Sequence, residues 1–220
     1  MSTTPTLIIG NKNYSSWSLR AWLLLRQFDI AFNEMKLTLD TPEFHAQISE
    51  YSAAGRVPVL LDGDLHIWDS LAIAEYVNER FLDGRGWPQS RADRAHARAI
   101  SAEMHSGFTA LRRELPMNCR KHVRDHVMSA DAARDVARVK DIWRDARAQH
   151  ADEGEFLFGA FGIADAMYAP VVLRFLSYSV DLAPLERAYV DAVVALPALH
   201  EWFADAATEE LSPAHEQMTP

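Results

Sequence analysis

The predicted secondary structure changes in kind near residue 85, and this change constrains the fold more than any other feature. Before it, the apolar patterns predict the order β-α-β-α-β-β-α. Residues 82–93 contain two glycines, one proline and mixed charges, a composition typical of a linker. After it, every pattern is helical. The sequence therefore predicts an α/β domain over residues 1–83, a linker over 84–92 and an all-helical domain over 93–220.

The individual elements follow from hydrophobic periodicity and from turn residues. Asp62-Gly63-Asp64 separates two apolar runs and predicts a β-hairpin. Pro116 predicts the end of a long helix that starts at residue 91, and Pro170 predicts a kink. The predicted strands cover residues 6–10, 31–39, 57–61 and 65–68. The predicted helices cover residues 15–27, 42–50, 70–81, 91–115, 130–150, 163–179, 185–196 and 197–207.

Composition excludes several classes of function. The 220 residues carry 22 Lys and Arg against 31 Asp and Glu, a net charge of −9. Such a chain is a poor general binder of nucleic acid, because phosphate binding depends on clustered basic residues. No stretch approaches the ~18 apolar residues of a membrane span, and the N-terminus lacks the basic region of a signal peptide. We expect a soluble, cytoplasmic protein that binds neither nucleic acid nor membrane.

Two kinds of metal or redox site are also disfavoured. Cys119 is the single cysteine, so neither an intrachain disulfide nor a CxxC pair is available, and we expect it to be a partly buried, unreactive residue. His122 and His126 are four residues apart, but no third ligand accompanies them, and a solvated helix end is about nine times more probable than a zinc site. We predict no metal site.

Ser15 and Ser16 follow the first predicted strand and begin the first predicted helix. A helix N-terminus offers free N–H groups and the positive end of the helix dipole. A serine hydroxyl there can also donate to an anion, which favours the ionised form of a bound thiol. The alternative is that either serine is simply an N-cap, which is the commoner role.

Two further segments suit the binding of a peptide-like ligand. Val57-Pro58 begins an apolar strand, and a cis bond there would leave the backbone of Val57 free to pair with an extended ligand. Asp69-Ser70 begins the third predicted helix, where Ser70 could bind a ligand carboxylate and Asp69 an ammonium group. The alternative for this pair is again capping.

Together these segments give the chain a family resemblance. Residues 14–20 read YSSWSLR and residues 55–60 read GRVPVL, and they are followed by Asp69-Ser70 and by residues 162–165, GIAD. In this order and spacing the sequence resembles the glutathione S-transferase superfamily over its whole length, and its serine-rich helix start resembles the zeta class. Trp17 stands where the zeta motif has a cysteine, which argues against chemistry through an enzyme thiol.

The resemblance implies a thioredoxin-like domain that binds glutathione as co-substrate. Ser15, with Ser16 as the alternate, would hydrogen-bond the thiolate. Val57, before a cis Pro58, would pair with the cysteinyl unit. The remaining glutathione contacts would come from Arg56, Asp69 and Ser70.

The resemblance also implies a second-substrate site between the two domains. Its lining would include Tyr14, Trp17, Met104, His105, Phe108 and Arg112, although the stripe on residues 104, 108 and 112 is equally well explained as interdomain core. Gly162 replaces the usual Ser or Thr of the family's folding motif, and Asp165 is expected to cap the helix there in a structural role.

The function implied is that of a glutathione transferase acting on small electrophiles, with a role in detoxification. The alternatives are a glutathione-dependent isomerase of the maleylacetoacetate type, and a non-catalytic glutathione-binding or regulatory protein. The resemblance further implies a homodimer, and aromatic and basic residues around the third helix are compatible with one. These residues are Trp68, Tyr76 and Arg80.

Overall fold

The N-terminal part is a four-stranded mixed sheet with helices on both faces. The structure is a computed structural model and describes residues 4–218. The strands are β1 (Thr6–Ile9), β2 (Asn33–Lys36), β3 (Val59–Asp62) and β4 (Leu65–Trp68), and the helices are α1 (Ser16–Gln27), α2 (Pro42–Tyr51) and α3 (Ser70–Phe81). The sheet order is β2-β1-β3-β4, with β1 and β2 parallel and the other pairs antiparallel. This confirms the predicted thioredoxin-like βαβαββα order.

Alternation along the strands explains why both faces of the sheet are covered. Successive side chains of a strand point to opposite faces. Leu7 and Ile9 of β1 therefore join the main core, which includes residues of α1 and α3. Ile8 points the other way and packs with Phe44 and Ile48 of α2 in a second, smaller core.

The C-terminal part is helical, as predicted. Its helices are α4 (Arg91–Ser106), α5 (Thr109–Glu114), α6 (Ala130–His150), α7 (Ile163–Ser177), α8 (Pro184–Val194), α9 (Pro197–Thr208) and α10 (Pro213–Met218). Helix α7 is almost wholly buried and packs against α1, α4 and α8, so it joins the helical part to the sheet domain. Pro170 lies inside it. No helix within residues 4–218 is both long and apolar enough to cross a bilayer.

The prediction of one helix over residues 91–115 is wrong. The helix ends at Ser106, and Phe108 adopts a left-handed conformation with φ of 57° before α5 begins. Arg112 stabilises this break, because its guanidinium donates to the carbonyl oxygens of Met104 and His105. Those carbonyls belong to the last turn of α4, where helical partners are missing. Periodicity alone does not reveal such a local side-chain cap.

Candidate functional site

A cavity of about 270 Å³ lies where α1, the segment before β3, the start of α3 and α4 meet. Seven of the residues predicted as site residues line it, together with Ala54 and Trp68. Trp68 was not predicted as a site residue, although its place directly before Asp69 was a usable signal. The seven are Trp17, Arg56, Val57, Pro58, Asp69, Ser70 and His105. A larger cavity of about 500 Å³ lies against the linker and the start of α7, and no predicted catalytic or ligand-binding residue lines it.

The start of α3 supplies a buried hydroxyl without a partner. Ser70 is 1% exposed, and its Oγ forms no hydrogen bond within the described residues. Buried polar groups are nearly always satisfied, so an unpaired hydroxyl at a cavity wall is available to bond a ligand or a water molecule. The helix N-terminus behind it favours a negative charge there.

Asp69 has a structural task at the same place. Its Oδ1 accepts hydrogen bonds from the N–H groups of Leu71 (2.9 Å) and Ala72 (3.2 Å), so it caps α3. Its Oδ2 lies 3.0 Å from Nε2 of His105 in α4. The backbone of Asp69 has φ of 76°, a strained value for a residue other than glycine. Strain of this kind is concentrated at functional sites, where the surrounding structure maintains it.

The segment before β3 forms the opposite wall. The Val57–Pro58 bond is cis, as predicted. The paired register of β3 begins at Val59, opposite Ile8 and Trp68, so the backbone of Val57 lies outside the sheet ladder. Arg56 is exposed beside it. This wall therefore offers a peptide backbone and a cation at the edge of the cavity.

The two serines at the start of α1 differ in their surroundings. Ser15 is the N-cap and is 6% exposed, and its Oγ donates to Oγ of Ser18 at 2.7 Å. Ser16 is partly exposed, and its Oγ accepts a hydrogen bond of 3.1 Å from Nη2 of Arg174. The hydroxyl of Ser15 thus uses its proton in a hydrogen bond to Ser18. The hydroxyl of Ser16 accepts a hydrogen bond through its oxygen, so its proton is left to donate to another group.

Two guanidinium groups lie over the indole ring of Trp17. The guanidinium carbon of Arg20 lies 4.3 Å from the indole centroid and that of Arg112 lies 4.8 Å from it. The centroid of the His105 ring lies 5.4 Å from the indole centroid, and the two ring planes are at 77° to each other. Such cation–π contacts orient the indole that forms one wall of the cavity.

The other residues predicted for the second substrate do not line this cavity. Met104 and Phe108 are 1% and 7% exposed and belong to the main core. Tyr14 donates its hydroxyl proton to Glu216 of α10 at 2.7 Å and stacks on His215. Arg112 reaches the end of α4, as described above.

Cys119 has a buried thiol, and the histidine pair belongs to no metal-binding group found among the described residues. Burial raises the pKa of the Cys119 thiol from 9.0 to about 12, so it is almost entirely protonated at neutral pH. Within residues 4–218, no group of three or more His, Cys, Asp or Glu side chains is arranged to hold a metal ion.

Residues 14–80, which contain most of this site, match the family model of the glutathione S-transferase N-terminal domain. In this segment the chain is similar to the N-terminal domain of glutathione S-transferases. Solved structures of the superfamily share its fold over nearly the whole chain. A glutathione transferase homologue from a Burkholderia with bound glutathione has a TM-score of 0.72 at 23% identity, covering 94% of this chain and 100% of that one. A theta class glutathione S-transferase from Xanthomonas axonopodis pv. citri with glutathione bound has a TM-score of 0.63 at 22% identity, covering 96% and 100%.

Two curated relatives match shorter segments. Dichloromethane dehalogenase from Methylorubrum extorquens is 40% identical over 62 residues, 27% of this chain and 21% of the dehalogenase. A probable maleylacetoacetate isomerase from Caenorhabditis elegans is 34% identical over 108 residues, 49% of each chain. The chain thus spans less than half the length of these superfamily relatives.

Proposed function

We propose that the protein is a glutathione transferase, which joins the glutathione thiolate to a small electrophile. The observation that carries the proposal is the buried, unpartnered hydroxyl of Ser70 at the N-terminus of α3. That hydroxyl faces a cavity whose other walls offer the backbone of Val57 and the start of α1. Two superfamily structures of the same fold hold glutathione, which supports glutathione as the ligand.

The chemistry of the three walls suits the three parts of the tripeptide. Ser70 and the N-terminus of α3 would bind the γ-glutamyl carboxylate. The backbone of Val57 would pair with the cysteinyl unit, as one residue of an added strand. Arg56 would bind the glycyl carboxylate by a charge-assisted hydrogen bond. The cysteinyl thiol would then face the start of α1.

Activation of the thiol is the step that needs a catalytic group. A free cysteine thiol has a pKa near ~8.5, so little thiolate exists at neutral pH. A hydroxyl donor and the free N–H groups of α1 stabilise the anion and lower that pKa. Once the thiol proton has passed to solvent, the sulfur electron pair forms a C–S bond to the electrophilic carbon, and the displaced group leaves with the electron pair of its own bond. Trp17 and His105 would form the wall against which the electrophile lies.

Between the two serines, we propose that Ser16 donates to the thiolate and that Ser15 caps α1. The hydroxyl proton of Ser15 is directed to Ser18, whereas the proton of Ser16 is left to donate. The sequence alone favoured Ser15, because it does not show that Ser15 hydrogen-bonds to Ser18 and Ser16 to Arg174.

The matched variants Ser15→Ala and Ser16→Ala test this assignment. The ultraviolet absorbance of the thiolate, followed against pH, gives the pKa of bound glutathione in each. We expect Ser16→Ala to raise that pKa by about 1–2 units and to slow conjugation at neutral pH about 10- to 100-fold. Ser15→Ala should change it much less. The reverse result would return the role to Ser15, and no effect in either variant would contradict serine activation.

The similarity to the probable maleylacetoacetate isomerase favours a second candidate, a glutathione-dependent isomerase. Comparison of turnover with a cis-dienoic keto acid and with a chlorodinitrobenzene-type electrophile separates the two reactions. A non-catalytic glutathione-binding protein would instead be retained on immobilised glutathione without any absorbance of the thiolate. A cytoplasmic location and a detoxifying role go with the transferase proposal.

A further inference from the structure

Three arginines from three helices are gathered next to the start of α1. Arg20 of α1 and Arg174 of α7 are 4% and 6% exposed, and Arg112 of α5 is partly buried. None of them takes part in an ion pair within residues 4–218, although the chain as a whole is acidic, with a net charge of −9. Burying an unpaired cation is energetically unfavourable, so a cluster of this kind needs a physical reason.

Some guanidinium nitrogens of this cluster have no hydrogen-bond acceptor among the described residues. Nε and Nη1 of Arg20 and Nε of Arg112 are buried without a hydrogen-bond partner in the described residues. Burial, together with repulsion from Arg112 and Arg174, lowers the pKa of Arg20 from 12.5 to about 9. Burial and Arg112 likewise lower the pKa of Arg174 to about 10. All three arginines stay charged at neutral pH, and each would be stabilised by an anion nearby.

Arg174 is the arginine of the cluster that hydrogen-bonds to a residue of the proposed thiol site, Ser16. Its Nη1 donates to the carbonyl oxygens of Leu115 and Arg112, which fixes the guanidinium plane. Its Nη2 then donates to Oγ of Ser16 at 3.1 Å. Because the Ser16 oxygen accepts this bond, its own proton can point only towards another acceptor. The bond also polarises the hydroxyl, which strengthens it as a donor.

Among the described residues, the carboxylates that act on the arginine cluster are Asp69 and Asp135. Asp69 is the carboxylate that acts on Arg20, and Asp69 is itself held by His105 and by its capping bonds. Asp135 acts on Arg112 from α6. Among the described residues, the charged groups that contact Ser16 or Trp17 from α1, α5 and α7 are the three arginines, and α3 and α4 contribute the Asp69–His105 pair.

We propose that the Arg20–Arg112–Arg174 cluster supplies the electrostatic stabilisation of the glutathione thiolate, with Arg174 as the residue that positions Ser16. The inference rests on the proposed function and deepens it. The thiol loses its proton to solvent, the sulfur keeps the electron pair, and Oγ–H of Ser16 donates to the resulting anion. Arg174 acts through Ser16 and is a positioning residue.

The pKa of bound glutathione in arginine variants tests the proposal. We expect Arg174→Gln to raise it by about one unit, a tenfold fall in the thiolate fraction at neutral pH. Arg174→Lys, which keeps the charge, should retain most of the wild-type shift. Arg112→Gln, at a partly exposed position, should raise the pKa by a smaller amount. Arg26→Gln is the matched control, because Arg26 lies in the last turn of α1, at the opposite end from Ser16, and is half exposed and paired with Glu201.

Circular dichroism and thermal unfolding show first that each variant is folded. If Arg174→Gln does not fold, the pKa of glutathione bound to Arg112→Gln tests the proposal instead. Folded variants with an unchanged thiol pKa would overturn the inference. So would variants that keep the pKa but show a raised KM for a carboxylate-bearing electrophile and not for a neutral one, because the cluster would then bind the co-substrate. Wild-type protein that never ionises bound glutathione would overturn the proposed function as well.

Discussion

At the scale of single residues, Asp165 shows how one buried carboxylate joins two segments. It is 1% exposed, and its Oδ2 accepts a hydrogen bond of 2.9 Å from the N–H of Gly162, the N-cap residue of α7. Its Oδ1 accepts one of 3.0 Å from the N–H of Leu157. The capping role was predictable from sequence, because Gly162 has no side chain to cap with. The bond to Leu157 was not, because it depends on how the preceding loop folds back.

Burial makes the stability contribution of Asp165 depend on pH. Desolvation raises the pKa of its carboxyl from 3.8 to about 6 in the folded protein. The folded state therefore binds the proton more tightly than the unfolded state does, and stability falls as pH rises through this window, by up to about 3 kcal/mol. The contribution is fully present below the unfolded pKa and is lost above the folded one.

Urea unfolding of the wild type and Asp165→Asn, at about pH 4 and about pH 7, measures this directly. Asn keeps one oxygen acceptor and does not titrate, so we expect the variant to be less stable than the wild type at both pH values. The difference in their free energies of unfolding should be smaller at neutral pH. Retention on glutathione per folded molecule should be unchanged, because Asp165 lies outside the candidate site. A stability difference between the two proteins that grows as pH rises would show that the pKa of Asp165 in the folded protein lies below 3.8.

At the scale of elements, the C-terminal segment holds the loop that leads into α1. The side chain of Glu209, directly after α9, is 2% exposed, and its carboxylate accepts hydrogen bonds from the backbone N–H groups of Lys12 (2.9 Å) and Asn13 (3.0 Å). Lys36 of β2 donates to the same carboxylate at 3.0 Å. The turn before Ser15 is therefore fixed by a residue nearly 200 positions away in the chain.

Sequence patterns predicted the long elements but not this contact. Helices such as α6 have a clear amphipathic period, whereas α10 has six residues, too few for a period to appear. The roles of Glu209, Arg174 and Arg20 were missed for a related reason. A charged residue in a helical pattern is normally exposed, and only the tertiary structure shows that these are buried.

We expect Glu209→Ala to lower the free energy of unfolding by about 3 kcal/mol, because two buried N–H groups lose their acceptor. Glu210→Ala is the matched control: the neighbouring residue is exposed, and its loss should cost less than about 0.5 kcal/mol. Urea unfolding at neutral pH measures both. Equal effects of the two substitutions would contradict a specific role for Glu209.

At the scale of the whole molecule, the division into a sheet domain and a helical domain was predictable, but the candidate site could be predicted only in part. Residues of one segment, such as Val57 and Pro58 or Asp69 and Ser70, were recognisable from local chemistry. The positions of Met104, Phe108 and Arg112 depended on a helix break that the sequence pattern does not show. Sites formed between domains are set by packing, and packing is not a local property.

The last prediction concerns assembly. The strand β4 is an edge of the sheet, and it exposes Leu65 (53%) and Trp68 (50%). Exposed apolar groups on an edge strand favour association with another chain, and the resemblance to the superfamily implies a homodimer. We therefore expect sedimentation at micromolar concentration to give a species of roughly twice the chain mass of 24.8 kDa.

Leu65→Lys should shift the protein towards the monomer, because a charge would be buried at the edge of β4. Leu211→Lys is the matched control, since Leu211 is equally exposed (52%) but lies between α9 and α10. Trp68 is left unchanged in this test because it also lines the candidate site. A wild-type species of 24.8 kDa would refute the dimer, and a dimer disrupted by Leu211→Lys alone would move the interface away from β4.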